Sequence, residues 1–156
     1  MRRSDREITD PDRIREILTS CRHCRLGLAD GRSAYIVPLN FGFTEADGTY
    51  TLYFHGAKEG RKLELIRQNH YAGFEMDTNF SLIEGETACS YSARYQSIIG
   101  EGAVSILEDA EEKKQALTAI MKHQTGRADW DFPDKMIAAT CVFQLRVEQL
   151  SCKEHK

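Results

Sequence analysis

The sequence predicts a mainly β protein with helices (α+β), built as an antiparallel barrel of six or seven strands in one domain over residues 1–156. Three observations carry that expectation. Six or seven β-prone segments outnumber three helical ones. Two Asp-Gly pairs, Asp30-Gly31 and Asp47-Gly48, fall between such segments where hairpin turns belong. The 156 residues, 41% hydrophobic and 29% charged, bury enough surface to hold a core without disulfides or metals.

Each element has its own signal. Thr9 and Asp10 offer helix caps, Pro11 suits the first turn, and Ile14, Ile17, Leu18 and Cys21 follow at helical spacing. Residues 1–24 therefore read as an N-terminal helical arm. Arg25 to Ala29 is a short strand closed by Asp30-Gly31. Ser33 to Phe43 reads as one long β-prone run, in which Pro38 cannot donate to a ladder and marks an edge or a bulge. Asp47-Gly48 returns the chain into a strand over Thr49 to His55. Leu63, Leu65 and Ile66 then give Gly60 to Gln68 helical character. Tyr71 to Asp77, Thr87 to Tyr91 and Tyr95 to Leu107 read as strands, the last bending at Gly100 and Gly102. Glu108 to Gln124 is the clearest helix, acidic at its start, apolar at Ala116, Leu117, Ile120 and Met121, and followed by Gly126. The last strand, Ala139 to Leu150, puts Cys141, Phe143, Leu145 and Val147 on one face.

Composition excludes several function classes. Lys plus Arg number 21 against 24 Asp plus Glu, and a pI near 6.0 argues against nucleic acid as a partner. Apolar runs are too short for a membrane span, and the charged N-terminus is followed by no apolar signal core, so the chain reads as cytoplasmic. Five cysteines suggest free thiols. Cys21-Arg22-His23-Cys24 has the spacing of a redox pair or half a zinc site, but no second half follows, and the favoured reading is a helix end leading into a strand, with no metal.

Chemistry gathers between Tyr53 and Leu63. Gly56 and Gly60 let the backbone approach a ligand, free N–H groups at a helix start attract an anion, and Arg61 and Lys62 add positive charge. These are the parts of a phosphate cradle; the plainer account of the two cations is a solvated helix face. The segment is not a nucleotide-triphosphate loop, because its glycines are one residue too close and Arg61 and Leu63 replace the required Lys and Ser/Thr. Gly100-Glu101-Gly102 lacks the third glycine of a dinucleotide fingerprint. No G-x-S-x-G and no distinctive carboxylate pair point to a hydrolase. His55, at a strand end beside the cradle, is either structural or in touch with substrate. Trp130 is either a lid over an aromatic ligand or a plug over the barrel end.

Four segments together carry a resemblance: Tyr35 to Phe41, Leu52 to Ala57 leading into Gly60-Arg61-Lys62, Tyr95 to Gly102, and Glu111 to Leu117. In this order and spacing the chain resembles the flavin-nucleotide-binding split-barrel family related to pyridoxamine 5′-phosphate oxidase, in its nitroimidazole-resistance (Nim-like) branch. The resemblance implies a split β-barrel of the FMN-binding type, with FMN in preference to FAD. It implies that Tyr35 to Asn40 runs along the isoalloxazine ring, with contacts around Val37, Pro38, Leu39 and Asn40. Phe54, His55 and Gly56 would lie beside the ring and ribityl chain, and Arg61 and Lys62 would hold the phosphate. Ser97 would reach the flavin of a partner subunit in a homodimer with its sites at the interface. Tyr35, Val37, Leu39 and Phe54 offer an apolar slot for a flat ring, and His55 is the catalytic candidate. Tyr35 and Asn40 stand where the vitamin-forming oxidases carry basic residues, and no C-terminal substrate-binding extension follows, which points away from their activity. Two functions stay open: reduction of a small electron-poor substrate such as a 5-nitroimidazole, or a non-catalytic module that stores, senses or carries flavin.

Overall fold

The computed structural model describes residues 4–156, so the first three residues of the expected N-terminal arm lie outside the described residues. The two-residue strand β1 (Glu7–Ile8) precedes helix α1 (Pro11–Ser20). Asp10 caps that helix, its side chain accepting from the N–H of Asp12 at 3.1 Å, and Ile17 and Leu18 point into the core. A hairpin follows, β2 (Cys24–Asp30) and β3 (Ser33–Leu39), turning at Gly31 and Arg32 with Asp30 paired to Ser33. Strands β4 (Gly42–Ala46) and β5 (Thr49–Gly56) make a second hairpin, in which Asp47 at φ 51° and Gly48 at φ 75° form the two-residue loop. That pair of positive φ angles is the turn geometry an Asp-Gly dipeptide favours.

Helix α2 (Arg61–Asn69) leads into the long strands β6 (Tyr71–Ile83) and β7 (Ser92–Leu107). Helices α3 (Ala110–Thr125) and α4 (Asp134–Ala139) precede the last strand, β8 (Cys141–His155). The sheet is antiparallel throughout and runs β3-β2-β6-β7-β8-β5-β4, with β1 paired to β8 off that path. It curls around a core in which Phe41, Phe54 and Phe143 are fully buried. Phe54 stacks on Phe143 at 5.2 Å, worth about 1 kcal/mol beyond the area it buries.

The split-barrel class and its hairpins match expectation; several boundaries do not. The described residues form eight strands; β1, whose two residues carry no periodic signal, lies outside every expected strand. The run from Ser33 to Phe43 is two strands at opposite ends of the sheet path. Phe41 turns into the core between them, and Gly42 admits α3 so closely that a Cβ there would overlap the backbone of Ala119 and Ile120. Pro38 sits on β3, a terminal strand, as its missing donor requires.

Thr87 to Tyr91 is no strand. Ala88–Ser90 forms a 3-10 turn in which the Ser90 side chain accepts from the Thr87 N–H at 3.0 Å. Helix α4 follows Pro133 in a stretch that gave no helical signal. The expected bends in β7 are real: its pairing with β8 shifts register between Glu101 and Gly102, and a Cβ at Gly102 would overlap the carbonyl of Arg146. Among the described residues, no helix is long and apolar enough to cross a membrane.

Candidate functional site

The cradle forms where β5 ends and α2 begins. Gly60 precedes the helix at φ 124°, a conformation open to glycine, and supplies no capping side chain. Its carbonyl takes the N–H groups of Leu63 and Glu64, leaving those of Arg61 and Lys62 to face an anion. Leu63, Leu65 and Ile66 bury the opposite face of α2, which fixes the direction of this N-terminus. The Lys62 side chain folds back over Gly56: a Cβ at that glycine would lie 2.9 Å from Nζ. Among the described residues Lys62 has no carboxylate partner.

Arg61 differs. Its guanidinium pairs with Asp30 at the β2–β3 turn and with Glu64 at 2.9 Å. The same contact holds the Asp30 carboxyl below its usual range, chiefly through the hydrogen bond from Arg61. Arg61 therefore ties α2 to the β2–β3 hairpin, while the charge of Lys62, over Gly56, stays available to an anion. The second tie is Asn69, whose side chain donates to the Ala29 carbonyl at 2.7 Å. Asp30 was legible only as a turn residue, because its partner is 31 positions away.

Strand β3 starts beside this junction and carries the other expected contacts. Tyr35, Val37 and Leu39 lie half-buried against the core, while Pro38 and Asn40 are exposed on the alternate face. From Tyr35 to Asn40 the chain spans about 17 Å at strand rise. Being terminal, β3 keeps one row of backbone groups free of any strand partner. His55 projects from β5 on the exposed side, with no hydrogen-bond partner among the described residues. Phe54 is wholly inside the core, so its side chain belongs to the packing with Phe143 and only its backbone can face the slot.

Ser97 lies on β7, opposite Asp77 and Lys153. Gly56 of the cradle pairs with Cys141 and Ser97 with Lys153, twelve residues further along β8, so Ser97 is not brought to its own chain's cradle. Tyr91 is exposed and Tyr95 half-buried, while β8 turns Phe143 fully inward. Cys21 and Cys24 are core residues; burial pushes the Cys21 thiol up to about 12 and that of Cys24 higher still. Among the described residues no three His, Cys, Asp or Glu side chains gather as metal ligands. Trp130 is held within its own loop, donating to the Arg127 carbonyl at 3.2 Å beneath the Arg127 guanidinium.

The residues present fit a flavin nucleotide: an edge strand with a half-buried apolar face, then a helix N-terminus with an uncompensated lysine folded over a glycine. This fold and cradle define a split barrel of the flavin-binding type. The chain belongs to the pyridoxamine 5′-phosphate oxidase family, whose model matches residues 10–154 and whose members bind flavins. A candidate 5-nitroimidazole antibiotic resistance protein of Bacteroides thetaiotaomicron is 34% identical, with a TM-score of 0.81 over 95% of this chain and 86% of that one. Two further structures share the fold at a TM-score of 0.82: the flavocytochrome Anf3 of Azotobacter vinelandii, 19% identical over 100% of this chain and 72% of that one, and the FAD and heme binding protein of Mycobacterium smegmatis, 18% identical over 97% and 74%. No curated protein sequence gives a significant match.

Proposed function

We propose that the protein binds FMN, in preference to FAD, as a homodimer, and passes electrons to a small electron-poor substrate such as a 5-nitroimidazole. The observation that carries this reading is the cradle: one helix N-terminus and one lysine without a carboxylate partner suit a terminal phosphate monoester. The 34% identity to a candidate nitroimidazole-resistance protein supports the substrate class. When bound, the flavin supplies the redox chemistry. Lys62 and the α2 N-terminus hold its phosphate, Tyr35, Val37 and Leu39 shape the slot beside its ring, and His55 orients substrate or stabilises charge developing on it.

An exposed apolar stretch of the outer face supports the dimer. Ile36 and Ile99 are 64% and 53% exposed, and Gly27 and Gly73 pair side by side on the intervening strands. Two such faces pack across a two-fold axis, bringing Ser97 of one copy to the cradle of the other. The rival reading, a flavin store, sensor or carrier, is favoured by His55 having no hydrogen-bond partner among the described residues with which to share acid–base work.

Anaerobic stopped-flow separates the two. Protein-bound reduced FMN should reduce a nitroaromatic faster than free reduced FMN, and His55→Ala should slow that step by about thirtyfold or more while leaving the flavin in place. A colourless protein that takes up no FMN overturns the cofactor. Equal rates for bound and free flavin across a panel of acceptors leave only the binding module.

A further inference from the structure

A cavity of about 510 Å³, away from the cradle, opens between the C-terminal ends of α1 and α3 and the ring of Phe43 on β4. It lies in the size range of small-molecule sites. Arg22 and Lys122 supply its charge, and no carboxylate stands among its lining residues. That bias is unusual for this chain, whose formal charge is −3 and whose Arg13, Arg15, Arg25, Arg61 and Arg127 all pair with carboxylates. Arg22 instead donates to the carbonyl of His123 at 3.0 Å, and Lys122 has no carboxylate partner among the described residues.

His123 forms part of the wall. Its ring lies 4.5 Å from that of Phe41 and 5.5 Å from that of Phe43. Nε2 lies 2.8 Å from the Cys21 carbonyl, an acceptor, so Nε2 carries the proton and Nδ1 is a lone-pair acceptor. Nδ1 has no partner among the described residues. Burial holds this imidazole neutral by lowering its pKa. The cavity thus combines an aromatic wall, two uncompensated cations and one acceptor.

We propose that this cavity is a binding site for a small planar carboxylic acid, separate from the flavin cradle. The carboxylate meets Arg22 and Lys122, the ring lies on Phe43, and a hydroxyl on the ring donates to Nδ1 of His123. Neither cation is used by the proposed function, and Gln124, beside them, already spends its amide on the carbonyls of Arg22 and Phe41.

The test is a titration of the isotope-labelled protein with 3-hydroxybenzoate, with benzoate and inorganic phosphate as comparisons, read by amide chemical shifts. We expect saturable binding with shifts centred on Lys122 and His123. Benzoate should bind more weakly than 3-hydroxybenzoate, and phosphate at least tenfold more weakly. Lys122→Gln should weaken 3-hydroxybenzoate about tenfold. Thr19→Leu, which fills the mouth from the exposed face of α1, should abolish binding; thermal melts confirm that both variants fold. Prior loading with FMN should leave the titration unchanged, so the result stands whether or not the cradle takes flavin. Absence of saturable binding, shifts elsewhere, phosphate binding as tightly as the aromatic acid, or an unaltered Lys122→Gln variant each overturns the proposal.

Discussion

Gly56→Ala tests the cradle without touching a charge. The new methyl would stand 2.9 Å from Lys62 Nζ and 3.0 Å from its Cε, both at the far end of a flexible side chain. Lysine can swing away, and the backbone need not move. Helix α2 keeps its anchors in Leu63, Leu65 and Ile66, in the Arg61–Asp30 pair and in Asn69. Stability should therefore change by less than about 1 kcal/mol, in the direction a glycine-to-alanine exchange at an allowed φ favours. The displaced ammonium is the uncompensated cation of the cradle. Losing its bond to a phosphate costs about 1.5–3 kcal/mol, or roughly 10- to 150-fold in FMN affinity. Quenching of flavin fluorescence on titration gives the affinity, and urea denaturation the stability. If Gly56→Ala binds FMN like the wild type while Lys62→Ala binds it weakly, the lysine does not act from over Gly56. Wild-type affinity in both variants removes the cradle as the phosphate site.

Gly42→Ala should cost about 1–3 kcal/mol or more, seen as a lowered melting temperature, because its Cβ meets α3 backbone that cannot turn aside. Phe143→Ala should cost about 3–5 kcal/mol by opening a cavity against Phe54. His123, with its pKa depressed by burial, gives a stability that is complete above the unfolded value near 6.5 and falls as pH drops through the lower folded value. Urea midpoints measured from pH 7 to pH 5 should show that decline, and His123→Gln should flatten it. The depressed carboxylates Asp30, Glu45 and Glu154 add their own loss only at more acid pH.

The elements easiest to read were those whose determinants are local. Asp10-Pro11 starts α1, Asp47-Gly48 turns a hairpin, and Gly126 ends α3, each signal lying within a residue or two of the boundary it sets. Ser33 to Phe43 misled because its β propensity is continuous and the break is tertiary: α3, some 80 residues on, needs Gly42 bare. The cradle was legible from Gly56 to Lys62 because a helix start and its cations are adjacent in sequence. The different fates of Arg61 and Lys62 were not, since Asp30 comes from another hairpin. Phe54 read as a slot residue because an aromatic at a strand end suits either face, and only the partner strand shows which face is the core.

The position of β8 bears on how the chain is made. Strands β2, β3, β6 and β7 pair among themselves, and β4 pairs with β5, but β8 alone joins the two sets. A ribosome adding about 5–20 residues per second releases both sets before β8 exists. Until Cys141–His155 emerges, the growing chain holds two half-sheets with open edges facing each other and Phe54 lacking its partner ring. Closure of the barrel is thus deferred until β8 is made, and a ribosome stalled before residue 141 presents those edges to chaperones.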